Sequence, residues 1–160
     1  MDFAAIAGIV GEANVRAADA SDAVDGVQPR FCAYPGSVGE VSKLMQLASE
    51  TDWKVAPVGS RTKQKWGNPP KLLDLILCTR RLDRLIEYSA ADLVVSAAAG
   101  MTLTSLQARL ATAGQMLALD LPSNDATLGG VVATDISGPR RFRYGTPRDL
   151  LLGITVVLPD

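Results

Sequence analysis

Residues 122–153, PSNDATLGGVVATDISGPRRFRYGTPRDLLLG, constrain this chain more than any other stretch. They are dense in glycine, small hydroxyl residues and arginine, and they lie between two apolar runs. Glycine has no Cβ to hold a ligand away and tolerates φ > 0, so such a segment brings backbone N–H groups close to a polyanion. Thr127 is a helix N-cap by residue type, and Gly129 and Gly130 follow it. The helix then starts where N–H groups attract phosphate.

Composition narrows the ligand. The 160 residues carry 16 basic and 17 acidic side chains, a formal net charge of −1. No bulk positive charge points to nucleic acid or an anionic membrane surface. The basic residues cluster instead at 61–65 and 140–148, which suits a small anion. Histidine is absent, so His general bases and His metal ligands are excluded, as is a Ser–His or Cys–His nucleophile. Cys32 and Cys78 are too few for a zinc site or disulfide scaffold and read as buried thiols. No apolar run approaches the ~20 residues that span a bilayer. The N-terminus carries Asp2 and no basic segment, so it reads as a short amphipathic helix over Phe3–Ile9, and a reducing, cytoplasmic setting is expected.

The periodicity predicts short mixed elements. Residues 17–28 are small and acidic and read as a loop or loose connection. Strands are expected over Pro29–Tyr34, Lys54–Val58, Leu72–Ile76, near Ile86–Tyr88, over Leu93–Ala99 (buried), Met116–Leu119 and Ile154–Leu158. Ser37 and Glu40 form a capping box for a helix that buries Val41, Leu44, Met45, Leu47 and Ala48. Thr102 caps a helix with Leu103, Leu106 and Leu110 on one face, and Gly114 ends it. Thr127–Thr134 is a further short helix. The fold class is α+β, without the regular alternation of a doubly wound sheet.

A second donor-rich loop follows the Lys54–Val58 strand: Pro57, Val58, Gly59, Ser60, Arg61, Thr62 and Lys63. A strand ending in a glycine turn with adjacent hydroxyls offers several donors to one anion. An ordinary polar turn has the same composition. The Rossmann and Walker glycine patterns are both missing, so NAD and ATP sites of those kinds lose ground.

Taken together, Ala126-Thr127-x-Gly129-Gly130, Gly138-Pro139-Arg140, Tyr144-Gly145 and Arg148-Asp149 resemble the second nucleotide-binding segment of the PCMH-type FAD domain of vanillyl-alcohol-oxidase-like flavoenzymes. Ala97–Leu103 is similar to that family's segment between the two loops. Gly59-Ser-Arg-Thr-Lys63 and Gly138-Pro-Arg-Arg141 are nearest to the FAD-binding subunit of glycolate oxidase. Ser60 and Arg61 stand where many relatives have glycine. The resemblance implies two small α+β lobes that hold non-covalent FAD between them. Residues 1–28 are then an N-terminal helix and connection, and 29–160 the FAD domain.

The resemblance also implies roles. The 57–63 loop holds the pyrophosphate, together with the Thr127 hydroxyl and the Gly129 and Gly130 backbone. Gly100 lets the flavin lie against backbone. Pro122 and Ser123 sit beside the flavin ring, Ala133 and Ser137 line it, and Gly138 makes a turn. Val156 is near the adenine, or is a core valine. Arg140 neutralises a phosphate or a substrate carboxylate, and an Arg148–Asp149 ion pair fixes the loop. Solvated or structural pairing is the plainer reading of those charges.

The implied reaction is oxidation of a small 2-hydroxy acid, glycolate or a near relative such as D-lactate, by hydride transfer to flavin N5. Iron–sulfur and flavoprotein partner subunits are implied, and through them a peripheral place at the membrane. Relatives run on past Asp160 into a substrate domain, so a truncated chain without turnover is expected, and no catalytic base is assigned. Two other readings stay open. One is an FAD-binding electron-transfer module of a different oxidoreductase complex. The other is a flavin-free structural or interaction relative.

Overall fold

The computed structural model describes residues 2–123 and 125–158. Pro159 and Asp160, where the sequence pattern is expected to break off, lie outside the described residues. The chain divides into two compact units. The first takes in the N-terminal part to Val58, Lys63–Arg81 and the residues from Thr155; the second takes in Gly59–Thr62 and Leu82–Ile154. Both mix helix and strand, as the α+β reading expects.

The first unit is built on a four-stranded sheet. Its strands are β1 (Val15–Ala17), β2 (Phe31–Ala33), β3 (Val55–Val58) and β4 (Leu75–Cys78), in the order β1-β2-β4-β3. β2 and β3 run parallel to β4, and β1 is antiparallel to β2. All four residues of β4 are buried because both faces are covered, the pattern of a central parallel strand. Leu75 and Leu77 pack with Ile6, Val10, Val15, Ala33 and Leu44. Ile76 and Cys78 pack on the other face with Cys32, Val58 and Leu73. Cys32 and Cys78 are therefore buried thiols outside any disulfide, as expected.

Two helices supply the first of these cores. Helix α1 (Phe3–Val10) is capped by Asp2, whose carboxylate accepts from the Ala5 N–H, and it buries Ile6 and Val10. Helix α2 (Val38–Glu50) buries Leu44 and Ala48, four residues apart on one face. The Ser37 hydroxyl accepts from the Glu40 N–H at 3.1 Å, while the Glu40 carboxylate accepts from the Gly36 N–H at 2.8 Å. The box thus closes one residue earlier than the sequence pattern implies.

Residues 17–28 are not loose. The Arg16 guanidinium donates to both carboxylate oxygens of Asp22, at 2.6 and 2.8 Å, and Asp22 is 1% exposed. The Asp19 N–H also donates to Asp22, at 2.9 Å. A short acidic segment read as a linker is instead folded around one buried carboxylate, which draws Arg16 to a still more firmly protonated state.

The second unit contains an antiparallel ribbon, β5 (Leu85–Ser89) with β6 (Val94–Ala97), and the helices α3 (Leu103–Ala111), α4 (Leu128–Thr134), α5 (Arg141–Tyr144) and α6 (Pro147–Leu150). Met101, Leu106 and Leu110 make one core with the ribbon residues Leu85, Tyr88 and Val95. Leu103, Leu119, Ala126, Val131 and Ile136 make another. Gly114, at φ +68°, ends the α3 segment in the left-handed region that favours glycine.

Three strand expectations need correction. Leu93–Ala99 is not a buried strand: it is half of a two-stranded ribbon with an open face, and Leu93, at a positive φ, is 77% exposed. Met116–Leu119 forms no strand, because a side chain takes the place of a neighbouring strand. The Gln107 amide donates to the Leu117 carbonyl at 2.6 Å and accepts from the Leu117 N–H at 3.0 Å. Ile154–Leu158 is extended in residue type only. No described strand pairs with it, and a strand without a ladder leaves its backbone groups to solvent.

Candidate functional site

The donor loops meet within the second unit. Gly59 lies against Thr127: a Cβ at Gly59 would overlap the Thr127 hydroxyl and sit 2.8 Å from its Cγ2. Thr127 is 2% exposed and cannot swing away. The one glycine of the first loop is thus seated on the cap residue of the second.

A third segment is laced to the same place. Thr102 and Thr127 form an antiparallel bridge. The Leu103 N–H donates to Ala126 O and the Leu128 N–H to Met101 O, both at 2.9 Å, and the Gly129 N–H donates to Ala99 O at 2.8 Å. Gly129 is tight as well as bonded, since a Cβ there would lie 3.0 Å from the Ala99 Cβ. Gly59 and the segments 97–103 and 126–130 therefore form one packed cluster.

This lacing changes the expected donor set. The Gly129 N–H is spent on Ala99, and the Gly130 N–H donates to the Thr127 hydroxyl at 3.3 Å. Gly100 is buried, and its N–H donates to the Leu82 carbonyl at 2.8 Å. Gly100 offers no open backbone for a ring to lie on; its neighbour Ala99 is the exposed residue of that segment.

What remains for an anion is the first loop. Among the described residues Ser60 makes no hydrogen bond, so its N–H and hydroxyl are both available. Arg61 stands at φ +59°. An arginine there keeps the left-handed backbone that a glycine would adopt, at a cost of about 1–2 kcal/mol. Further along the loop, burial pushes the Lys63 ammonium below its ordinary value. The Gln64 side-chain nitrogen is buried with no hydrogen-bond partner. Such a buried donor calls for an acceptor. Gln64 escaped the sequence reading because an amide beside a basic loop carries no motif.

Gly138 and Arg140 are placed by Asp120, which also went unforeseen. The Arg140 N–H donates to both Asp120 carboxylate oxygens, at 3.2 and 3.1 Å. Gly138 fits only as glycine, since a Cβ would overlap the Asp120 carbonyl oxygen and lie 2.6 Å from its Cγ. The Arg140 guanidinium reaches the Met116 sulfur at 3.7 Å, a weak contact. An open groove of about 420 Å³, lined by Thr104, Gln107, Leu119, Asp120, Leu121 and Arg140, runs alongside.

The remaining expected residues are scattered. Pro122 and Ala133 are exposed, and Ser123 and Ser137 are half-buried. Pro57, Val58 and Lys63 belong to the first unit. Val156 is 67% exposed, without the strand expected to carry it, and is no core valine. Asp149 does not pair with Arg148; its carboxylate accepts from the Thr146 N–H at 2.7 Å. The bonds from Thr146 hold that carboxyl below its ordinary range. Arg148 is held through its backbone, whose N–H donates to Asp135 at 3.2 Å.

Comparison with known proteins now bears on what this cluster holds. Residues 29–160 match the family described as the FAD binding domain. The chain belongs to the FAD binding domain family. It has the PCMH-type fold, and its cofactor is FAD. The chain is 28% identical over 83% of its length to the mitochondrial D-lactate dehydrogenase [cytochrome] 1 of Saccharomyces cerevisiae, covering 23% of that protein. It is 31% identical over 81% of its length to D-2-hydroxyglutarate dehydrogenase of Xanthomonas citri pv. viticola, covering 28% of it. A solved structure of alkyldihydroxyacetonephosphate synthase superposes with a TM-score of 0.75 at 25% identity, over 82% of this chain and 27% of that one. The chain thus spans about a quarter of the length of the curated relatives it matches. Ser60, with its hydroxyl and backbone N–H, and the Thr127 hydroxyl beside it fit the pyrophosphate of FAD by chemistry, as donors to an acceptor-rich anion.

Proposed function

We propose that this FAD binding domain serves a flavin-dependent dehydrogenase of small 2-hydroxy acids. D-lactate and D-2-hydroxyglutarate are the substrates named in the relatives, and glycolate is the narrower proposal from the sequence of the two loops. The observation that carries the reading is Gly59 seated on Thr127, which joins the two donor loops of an FAD domain. FAD, when bound, accepts the hydride from the substrate carbon. The chain's own part is to bind and orient. Ser60 and Thr127, from the two loops that meet, hold the diphosphate. Pro122, Ser123, Ser137 and Arg140 set the place of the ring, and Arg140 meets phosphate or a substrate carboxylate. Arg61 at its glycine-type φ keeps the loop shape and argues against a flavin-free relative.

The same proposal takes 29–160 as the FAD domain with 1–28 preceding it. The substrate domain lies elsewhere in the whole protein, in a cytoplasmic setting with iron–sulfur and flavoprotein partners. The test has two arms. Purified chain is titrated with FAD and followed by quenching of flavin fluorescence. The whole protein is then assayed with glycolate, D-lactate and D-2-hydroxyglutarate and a dye acceptor. Saturable uptake of FAD with turnover of one hydroxy acid supports the reading. No uptake of FAD, or FAD uptake with none of the three acids oxidised, refutes it.

A further inference from the structure

We infer that Asp120 is a positioning residue for the flavin site, an inference that rests on the proposed function above. Asp120 stands two residues before Pro122 and faces the turn 137–140 from across the sequence. Two independent observations tie it to that turn. Its carboxylate receives the Arg140 N–H on both oxygens, at 3.2 and 3.1 Å. Its backbone oxygen fills the space that any side chain at Gly138 would need.

The bonding pattern gives this contact a direction. Pro139 has no N–H to offer, so the Arg140 N–H is the first donor after Gly138. Binding it through the backbone leaves the Arg140 guanidinium out of an ion pair with Asp120, and among the described residues the guanidinium reaches the Met116 sulfur. Had Asp120 taken the guanidinium instead, the arginine charge would be neutralised inside the protein. The arrangement therefore fixes the turn and keeps the cation for a ligand. Asp120 also leads directly into Pro122 and Ser123. One carboxylate thus links the two segments proposed to meet the flavin ring, and charge-assisted bonds to backbone N–H groups hold geometry well.

The experiment compares Asp120→Ala, Asp120→Asn, Gly138→Ala and, as a packing control, Leu119→Ala. Trypsin reads the turn without any flavin, because Arg140, Arg141 and Arg143 are exposed on it. FAD affinity and the visible spectrum of bound FAD read the site. D120A is expected to be cut faster at these arginines and to bind FAD about tenfold more weakly, the scale of one charge-assisted hydrogen bond. Its bound flavin spectrum is expected to shift. D120N keeps an acceptor oxygen and is expected to restore most of both. L119A is expected to lower the melting temperature and leave the bound spectrum unchanged.

A D120A protein with wild-type cleavage, affinity and spectrum overturns the inference. So does one that is merely less stable, with affinity and spectrum intact. If D120A does not fold, D120N and G138A decide by the same criteria. A wild-type chain that takes up no FAD sinks the proposed function and the inference with it. That case is recognisable, because D120A then loosens the turn with no flavin affinity to lose.

Discussion

Gly59 and Thr127 are 68 positions apart in the sequence, yet the glycine leaves no room for a methyl group beside the threonine. A Cβ at Gly59 would overlap Thr127 Oγ1 and lie 2.8 Å from Cγ2 and 3.0 Å from Cβ. Thr127 is buried, is the N-cap of α4, and is bridged to Thr102. It has no rotamer to retreat into without losing the cap. Gly59→Ala is therefore expected to destabilise by about 1–3 kcal/mol, the range for overpacking a buried site. Thr127→Ala alone is expected to cost about 1 kcal/mol through loss of the cap. The double variant is expected to cost less than the sum, because removing Oγ1 and Cγ2 takes away the worst of the clash. Urea unfolding of the four proteins in a double-mutant cycle checks this, and strict additivity would show that the two loops are not in contact.

The Thr146–Asp149 capping box gives a pH prediction. Hydrogen bonds from Thr146 lower the Asp149 carboxyl below its ordinary 3.8. A depressed acid contributes stability above its unfolded value and loses it as pH falls through its folded value. Asp149→Asn is thus expected to be slightly less stable than wild type at every pH above about 4. The difference should vanish as the pH falls below 3.8. Melting temperatures from pH 7 down to pH 3 test the sign, and a gap that widens in acid would contradict the assignment.

The sequence was most legible where a residue type has one backbone use. Ser37, Thr102 and Thr127 cap the helices expected of them, and Gly114 ends one. The paired loops were legible because glycine, hydroxyl and basic residues recur in the same order as in other FAD domains. Strands were least legible, since a strand depends on a partner that composition does not reveal. Met116–Leu119 and Ile154–Leu158 have β-type residues and no ladder, and in the first case Gln107 answers the backbone instead. The Gly129 donor and the open backbone expected at Gly100 were missed for the same reason: local sequence shows an N–H but not the carbonyl across from it. Asp120 and Gln64 left no trace, because their importance lies wholly in what faces them.

The buried Asp22 carboxylate should behave as the keystone of residues 16–24. It receives two bonds from Arg16 and one from the Asp19 N–H. Asp22→Ala leaves the Asp19 N–H unmet and leaves the half-exposed Arg16 guanidinium its contacts with Ala17 O at 3.1 Å and Asp19 at 3.5 Å. A loss of about 1–3 kcal/mol is expected, the cost of an abandoned buried bond to a charged group. Arg16→Ala strands the buried carboxylate itself and is expected to cost more. Thermal unfolding of both variants decides the order. A smaller loss for Arg16→Ala would mean that the backbone alone keeps Asp22 satisfied.

Gln64 sets stability against binding. Its side-chain nitrogen is buried without an acceptor, and an unmet donor of this kind costs about 1–3 kcal/mol. Gln64→Leu keeps the volume and removes the polar atom. The FAD-free chain is therefore expected to gain about 1 kcal/mol. If the nitrogen is kept for the FAD diphosphate, the same variant should bind FAD about tenfold more weakly, since the missing bond is one the ligand supplies. Gln64→Glu should weaken binding further, by placing a carboxylate beside phosphate. Unfolding without FAD and titration with FAD give opposite signs only if the orphaned donor belongs to the ligand. A Gln64→Leu chain that is stabilised and binds FAD unchanged would assign that donor to water.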